Sequence, residues 1–222
     1  VAALPYDVVT TEEARSLSAG NPHSFLHISR AEIDLPAGVD PYSDAVYSRA
    51  AGTFAKFQED GIFTREGRNS LYVYRQQMDS HIQRGVVTCC HIEDYEKNLI
   101  KQHEKTLQAK ENDRARHIRE LNAQAGPVFV VYRDDRQIDH MVSELEKERP
   151  LFDFTSPDGI RHSAWRINNT QAMEAAFAVV PRSYIADGHH RFAAAVKVGR
   201  ERRESNPAHT GPTKSAVAIA SA

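Results

Sequence analysis

Two cysteines among 222 residues leave no disulfide framework to read. They are adjacent, Cys89-Cys90, at the end of the run Val86-Val87-Thr88. Neighbours on a strand point to opposite faces, so a structural disulfide between them is disfavoured. With no cysteine pair at zinc-finger spacing, a reducing cytoplasm is the expected compartment. Excess charge is also lacking. Lys and Arg number 28 against 30 Asp and Glu, a formal net charge of −2. That supplies no global pull toward nucleic acid or an anionic membrane, so any anion site has to be local. No apolar stretch approaches the roughly 18 residues of a membrane span, and no signal peptide is visible. Internal repeats and low-complexity linkers are missing as well. What is present, 41% hydrophobic and 26% charged residues, is the composition of an ordinary globular protein. The expectation is one domain over 1–222. Because the chain starts at Val1 inside an apolar segment and stops in a strand-like run, Ser215-Ala216-Val217-Ala218-Ile219-Ala220, it is expected to be part of a longer protein.

Thr10-Thr11-Glu12-Glu13 has the spacing of a capping box and predicts a short helix stopped by Gly20-Asn21-Pro22. Ser24 to Ser29 reads as a strand. Asp40-Pro41 supplies a cap and a first-turn proline for a helix reaching about Asp60 and closed by Gly61. Ala45, Val46, Ala50, Phe54 and Phe57 recur on it at helical spacing. Leu71–Gln77 and Gln83–Ile92 read as a hairpin turning at Met78 to His81. A strongly charged insertion follows at about 93–124, helical from Asp113 to Leu121. Then come a strand (Val128–Tyr132), a helix (Asp134–Glu148), a hairpin over Leu151–Ile167 turning at Ser156-Pro157-Asp158-Gly159, a helix (Thr170–Val179) and a short strand (Ser183–Ala186). A last helix runs from the Asp187-Gly188-His189-His190-Arg191 turn to about Glu204. Strands and helices alternate without a strict βαβ rhythm, so the fold class is α/β (α+β), a mixed sheet with flanking helices.

The DGHHR turn is the strongest site candidate. Asp187 can cap the helix, and Gly188 lets the backbone bend and approach a ligand. The freed N–H groups and the helix dipole favour an anion above the turn. Arg191 has a planar fork suited to phosphate oxygens, and His189 and His190 can donate hydrogen bonds or exchange a proton. The alternative is a capped helix with three exposed polar residues. The second cluster, His103-Glu104-Lys105-Thr106, offers acid/base groups, a cation and a hydroxyl. Lys101, Lys110, Arg114 and His117 lie nearby in sequence and can add positive charge. Its alternative is a solvated charged face. Tyr6 and Asp7, after Pro5, are candidates for holding a substrate, or else a plain strand-to-helix connection. Tyr72 and Tyr74 share one strand face, and Trp165 reads as core.

The run Asp187-Gly188-His189-His190-Arg191-Phe192-Ala193-Ala194-Ala195 resembles the G-x-x-R-x-x-A signature of the ParB/sulfiredoxin-like superfamily, which includes ParB-type nucleotide-binding domains, sulfiredoxins and free-serine kinases. Over nearly its whole length the chain also resembles a bacterial and archaeal family catalogued as domain of unknown function 1015. That likeness is carried by Leu4-Pro5-Tyr6-Asp7-Val8, Asn21-Pro22, Tyr72-Val73-Tyr74-Arg75, His103-Glu104-Lys105-Thr106, Gly126-Pro127-Val128 and the DGHHR turn. The superfamily resemblance implies a ParB/sulfiredoxin-like core with insertions, in which Gly188, His189, His190 and Arg191 hold nucleotide phosphates. Sulfiredoxins carry their reactive cysteine in this turn where His189 stands here, so sulfinic-acid repair is not implied. Asp187 agrees with the serine-kinase branch. No helix-turn-helix or basic stripe is evident, which argues against a nucleic-acid partner.

The expected activity is magnesium-dependent phosphoryl transfer or phosphate hydrolysis on a small molecule. In it Asp187 binds Mg2+ or activates a hydroxyl. Glu104 and His103 are the other catalytic candidates, and Lys105 and Thr106 join the turn in binding ATP, ADP or CTP. His189 and His190 are too close in sequence to ligate one ion together. The alternative function is a non-catalytic nucleotide-binding switch. A homodimer is compatible with the sequence. The two clusters should also lie near one another in space.

Overall fold

The computed structural model describes residues 2–206 and 215–221. Where the sequence suggested one domain, the chain packs as two compact units. Residues 1–65 and 108–126 form unit 1, and residues 66–107 and 127–222 form unit 2. The charged stretch at 93–124 is therefore divided between the two.

Unit 1 is helical. In α1 (Thr11–Ser18), Thr10 and Glu13 complete the capping box in both directions. The strand expected at Ser24–Ser29 is instead a short helix, α2 (Leu26–Ser29), whose first turn is opened by the Ser24 hydroxyl accepting from the Leu26 N–H. Its apolar run is too short for periodicity to separate helix from strand. A 3-10 turn follows at Ala31–Asp34. Helix α3 (Asp44–Glu59) begins later than expected, because the Asp40 carboxylate accepts from the Tyr42 N–H and closes a turn there rather than a cap. Helix α5 (Gln108–Leu121) packs on α3. The core joins Ile28, Val46, Ala50, Phe57 and Leu121, with Phe25, Phe54 and Phe63 around it.

Unit 2 is built on an eight-stranded mixed sheet. In chain order its strands are β1 (Leu71–Met78), β2 (His81–His91), β3 (Ile100–Lys101), β4 (Val128–Tyr132), β5 (Phe152–Thr155), β6 (Arg161–Ile167), β7 (Ser183–Asp187) and β8 (Ser215–Ser221). They lie side by side as β3-β7-β4-β8-β2-β1-β6-β5. From β8 to β5 every neighbour is antiparallel, whereas β3 with β7 and β4 with β8 run parallel. The helices are α4 (Ile92–Glu96), α6 (Arg136–Leu145), α7 (Thr170–Ala178) and α8 (His189–Ser205). Asp135 caps α6 by accepting from Gln137 and Ile138. Helices α6 and α7 cover Val73, Val86, Tyr132, Trp165 and Ile167 with Ile138, Val142, Met173 and Ala176. Helix α8 lies against β4 and β8 and buries Phe192, Ala194, Val196 and Val198. Both cysteines are free thiols, and burial pushes Cys90 up to about 12. Among the described residues no helix is long and apolar enough to cross a membrane.

Candidate functional site

The pairing of β3 with β7 decides what meets what in unit 2. Ile100 lies beside Ser183 and Lys101 beside Tyr184, in parallel. Parallel neighbours leave the sheet at the same end, so the residues after Lys101 run alongside those after Tyr184. The first set contains His103-Glu104-Lys105-Thr106 and the second is the DGHHR turn. On the other side of β7, antiparallel β4 brings its beginning to the same end, with Phe129 opposite Asp187. The register shifts by one between Phe129 and Val130, which leaves Ala186 as an extra residue immediately before the turn. Such bulges re-aim the residues that follow them.

Gly188 takes φ 90° and ψ 32°, a left-handed conformation, and is the first flanking residue of α8. No side chain caps the helix. This corrects the capping role expected for Asp187, whose carboxylate instead accepts from Arg191 one turn later. Arg191 is buried, and its other terminal nitrogen donates to the Pro127 carbonyl. The guanidinium lies directly against Gly188, where a Cβ would stand 3.1 Å from Cζ and Nε. The fork that sequence assigned to phosphate therefore holds Asp187 and the entry to β4. Asp187 itself is open to solvent, its side chain 67% exposed.

His189 is 6% exposed, and its Nε2 is buried with no hydrogen-bond partner among the described residues. Its ring meets the edge of His103, centroids 4.5 Å apart at 89°. Its Nδ1 lies 3.8 Å from a Glu104 oxygen, and the other Glu104 oxygen lies 3.8 Å from His103 Nε2. These are electrostatic neighbours rather than hydrogen bonds. Burial, then His103, lowers the His189 pKa below 6.5, while Glu104 and Asp187 pull it back. The ring is neutral at pH 7. His190 fixes the other strand of the site, with Nε2 accepting from the Leu107 N–H at 3.1 Å. Lys105 is exposed and Thr106 half-buried in the same loop.

The structure thus brings Asp187, Gly188, His189, His190 and Arg191 together with His103 and Glu104. Arg114 and His117, expected as added positive charge, are engaged within unit 1, where Arg114 pairs with Asp113 and His117 is buried with its pKa lowered to about 4 by burial. Tyr6 and Asp7 also lie in unit 1, with the Arg114 guanidinium 3.9 Å above the Tyr6 ring. Two contributors escaped sequence reasoning, the Pro127 carbonyl and the Leu107 N–H. Only the Gly126-Pro127-Val128 run hinted at the first, and backbone groups leave no mark in composition. Among the described residues no group of three or more His, Cys, Asp or Glu is arranged to hold a metal ion.

The family described as "Protein of unknown function (DUF1015)" matches residues 1–221. The chain belongs to that family. Neither a curated protein nor a solved structure matches it.

Proposed function

We propose that the DGHHR turn of unit 2 binds the phosphates of a nucleotide, as the ParB/sulfiredoxin resemblance implies but through the helix N-terminus and His189, with Arg191 bracing Asp187, and that the bound nucleotide serves magnesium-dependent phosphoryl transfer or hydrolysis on a small molecule. One observation carries this reading: an uncapped helix N-terminus sits beside a buried, neutral, unpartnered histidine nitrogen. Free N–H groups and the positive end of a 17-residue helix favour an anion. An orphaned buried nitrogen costs stability unless a ligand satisfies it. His189 in its neutral form offers one N–H donor or one lone pair there, without adding charge.

ATP, ADP or CTP, with Mg2+, would supply the transferable phosphoryl group. The protein's part is positioning and proton handling. Asp187, held at the turn by Arg191 and exposed to solvent, would serve as the carboxylate for Mg2+ or a substrate hydroxyl. Glu104, 63% exposed beside His189 and His103, would accept a proton in this reading. Lys105 and Thr106 extend the same loop toward solvent, and His190 ties that loop to the helix.

A non-catalytic nucleotide switch uses the same turn. The commitment of Arg191 to Asp187 and Pro127 favours it, since that cation is then not offered to a developing charge. Calorimetry with ATP, ADP and CTP plus magnesium, beside a phosphate-release assay with small hydroxyl-bearing substrates, separates the two. Binding with turnover supports the enzyme, and Asp187→Asn should then keep binding and lose turnover. Binding without turnover supports the switch. No binding by any of the three overturns both.

A further inference from the structure

Unit 1 holds a cleft of its own, far richer in polar groups than a helical core requires. Its walls are the segment Ile28–Glu32, helix α3 and helix α5, with Tyr6 and Tyr42 at the side. From α5, Asp113 accepts from the Tyr47 hydroxyl at 2.5 Å and from Arg114 at 2.7 Å. Desolvation and Asp113 both raise the Tyr47 pKa, so the phenol stays protonated and donates. Opposite them Glu32, 6% exposed, pairs with Arg30 at 3.0 Å and accepts from the Thr11 hydroxyl. Two carboxylates face two guanidiniums, and the formal charge of the lining cancels.

His117 and Ser29 in this lining keep hydrogen-bonding capacity. His117, 6% exposed, has Nε2 within 3.0 Å of the Ile28 carbonyl. A carbonyl only accepts, so Nε2 carries the hydrogen, and the neutral ring keeps a lone pair on Nδ1. The Ser29 hydroxyl is buried and has no partner among the described residues. Burying such groups is costly, and well-packed apolar residues of similar size would serve a purely structural core as well or better.

We propose that this cleft is a second ligand site, independent of the phosphate reading, for a small molecule that is neutral overall, either uncharged or zwitterionic, and that offers both donors and acceptors. The cancelled lining charge disfavours a net anion or cation, which would be desolvated without compensation. The cleft, about 70 Å³, suits a molecule of a few heavy atoms. Tyr6 keeps its expected substrate-contacting role in this proposal, but at the unit 1 cleft.

The test is NMR of the His117 imidazole in the full chain. Four probes of similar size differ in charge: glycine (zwitterion), glycerol (neutral), glycolate (anion) and ethanolamine (cation). Saturable displacement of the His117 signals by glycine or glycerol, with glycolate and ethanolamine at least tenfold weaker, is the expected result. Ser29→Ala should then weaken the effective probe roughly two- to tenfold, the worth of one hydrogen bond. Ser29→Ala removes a single oxygen, and its folding is verified by the unchanged dispersion of the remaining signals. No saturable displacement by glycine or glycerol, no charge discrimination among the four, or an unchanged affinity in Ser29→Ala overturns the proposal. None of these outcomes depends on nucleotide binding in unit 2.

Discussion

Gly188 meets two demands at once. Its φ of 90° lies where a side chain is strained, and its missing Cβ makes room for the Arg191 guanidinium. Gly188→Ala should destabilise the protein by at least about 1–2 kcal/mol, the cost of the left-handed backbone, measured by denaturant unfolding. Gly188→Asn separates the two demands, because asparagine tolerates positive φ but still carries a Cβ. If Asn costs as much as Ala, crowding against Arg191 dominates; if it is nearly neutral, backbone strain does. The need for glycine here was legible from its place between a strand and a helix. The employment of Arg191 was not, since a guanidinium fork reads the same whether it meets phosphate or a carbonyl. His117 shows the same limit. Among so many charged neighbours it read as a cation, yet burial keeps it neutral down to about pH 4. The unfolded chain takes up this proton near 6.5, so lowering the pH from 6.5 to 4 protonates the unfolded state first and destabilises the fold. The loss from this residue is on the order of 3 kcal/mol across that window. His117→Gln should flatten the window in a series of unfolding measurements at fixed temperature; an equally steep variant would assign the pH dependence elsewhere.

Elements with length and punctuation were readable. The hairpin of β1 and β2 turns at Asp79 and Ser80, inside the span expected, because alternation on both sides leaves few residues for the turn. Strand β3, only two residues long, gave no signal at all, yet it aligns the two candidate clusters. Its pairing depends on a partner some eighty positions away, and no local pattern encodes that. The expected meeting of the clusters was argued from complementary chemistry, and the parallel register supplies its physical cause. The bond from the Leu107 N–H to His190 links loop to helix directly. His190→Ala should therefore speed amide exchange at Leu107 while the protection of β7 and α8 interior amides holds, as expected for a local opening. Equal loss of protection along all of α8 would mean that His190 supports the helix itself rather than the loop.

At the scale of the whole molecule, the chain interlaces its two units: it leaves unit 1 after Arg65, builds part of the sheet of unit 2, and returns at Gln108. Average composition carries no boundary at any of the three crossings, and only the dipeptide Gly126-Pro127 punctuates the last, so the sequence suggested a single domain. The mixed α/β class was still legible, because it needs only the kinds of elements and not their neighbours. Unit 1 closes only when α5 returns to α3. Tyr47 on α3 reaches Asp113, Arg116 on α5 reaches Asp44, and Leu121 joins the core of Ile28, Val46, Ala50 and Phe57. The ion pair has one well-exposed partner and contributes little. The apolar seam must do most of the holding, because burying a leucine side chain contributes about 1.5–3 kcal/mol. Leu121→Ala removes that burial and leaves a cavity, for an expected loss of about 2–5 kcal/mol. The loss should be read as faster amide exchange in α3 and α2 as well as in α5, because the three share one core. Exchange that rises in α5 alone would show that the first segment of unit 1 holds its helices without the returning one.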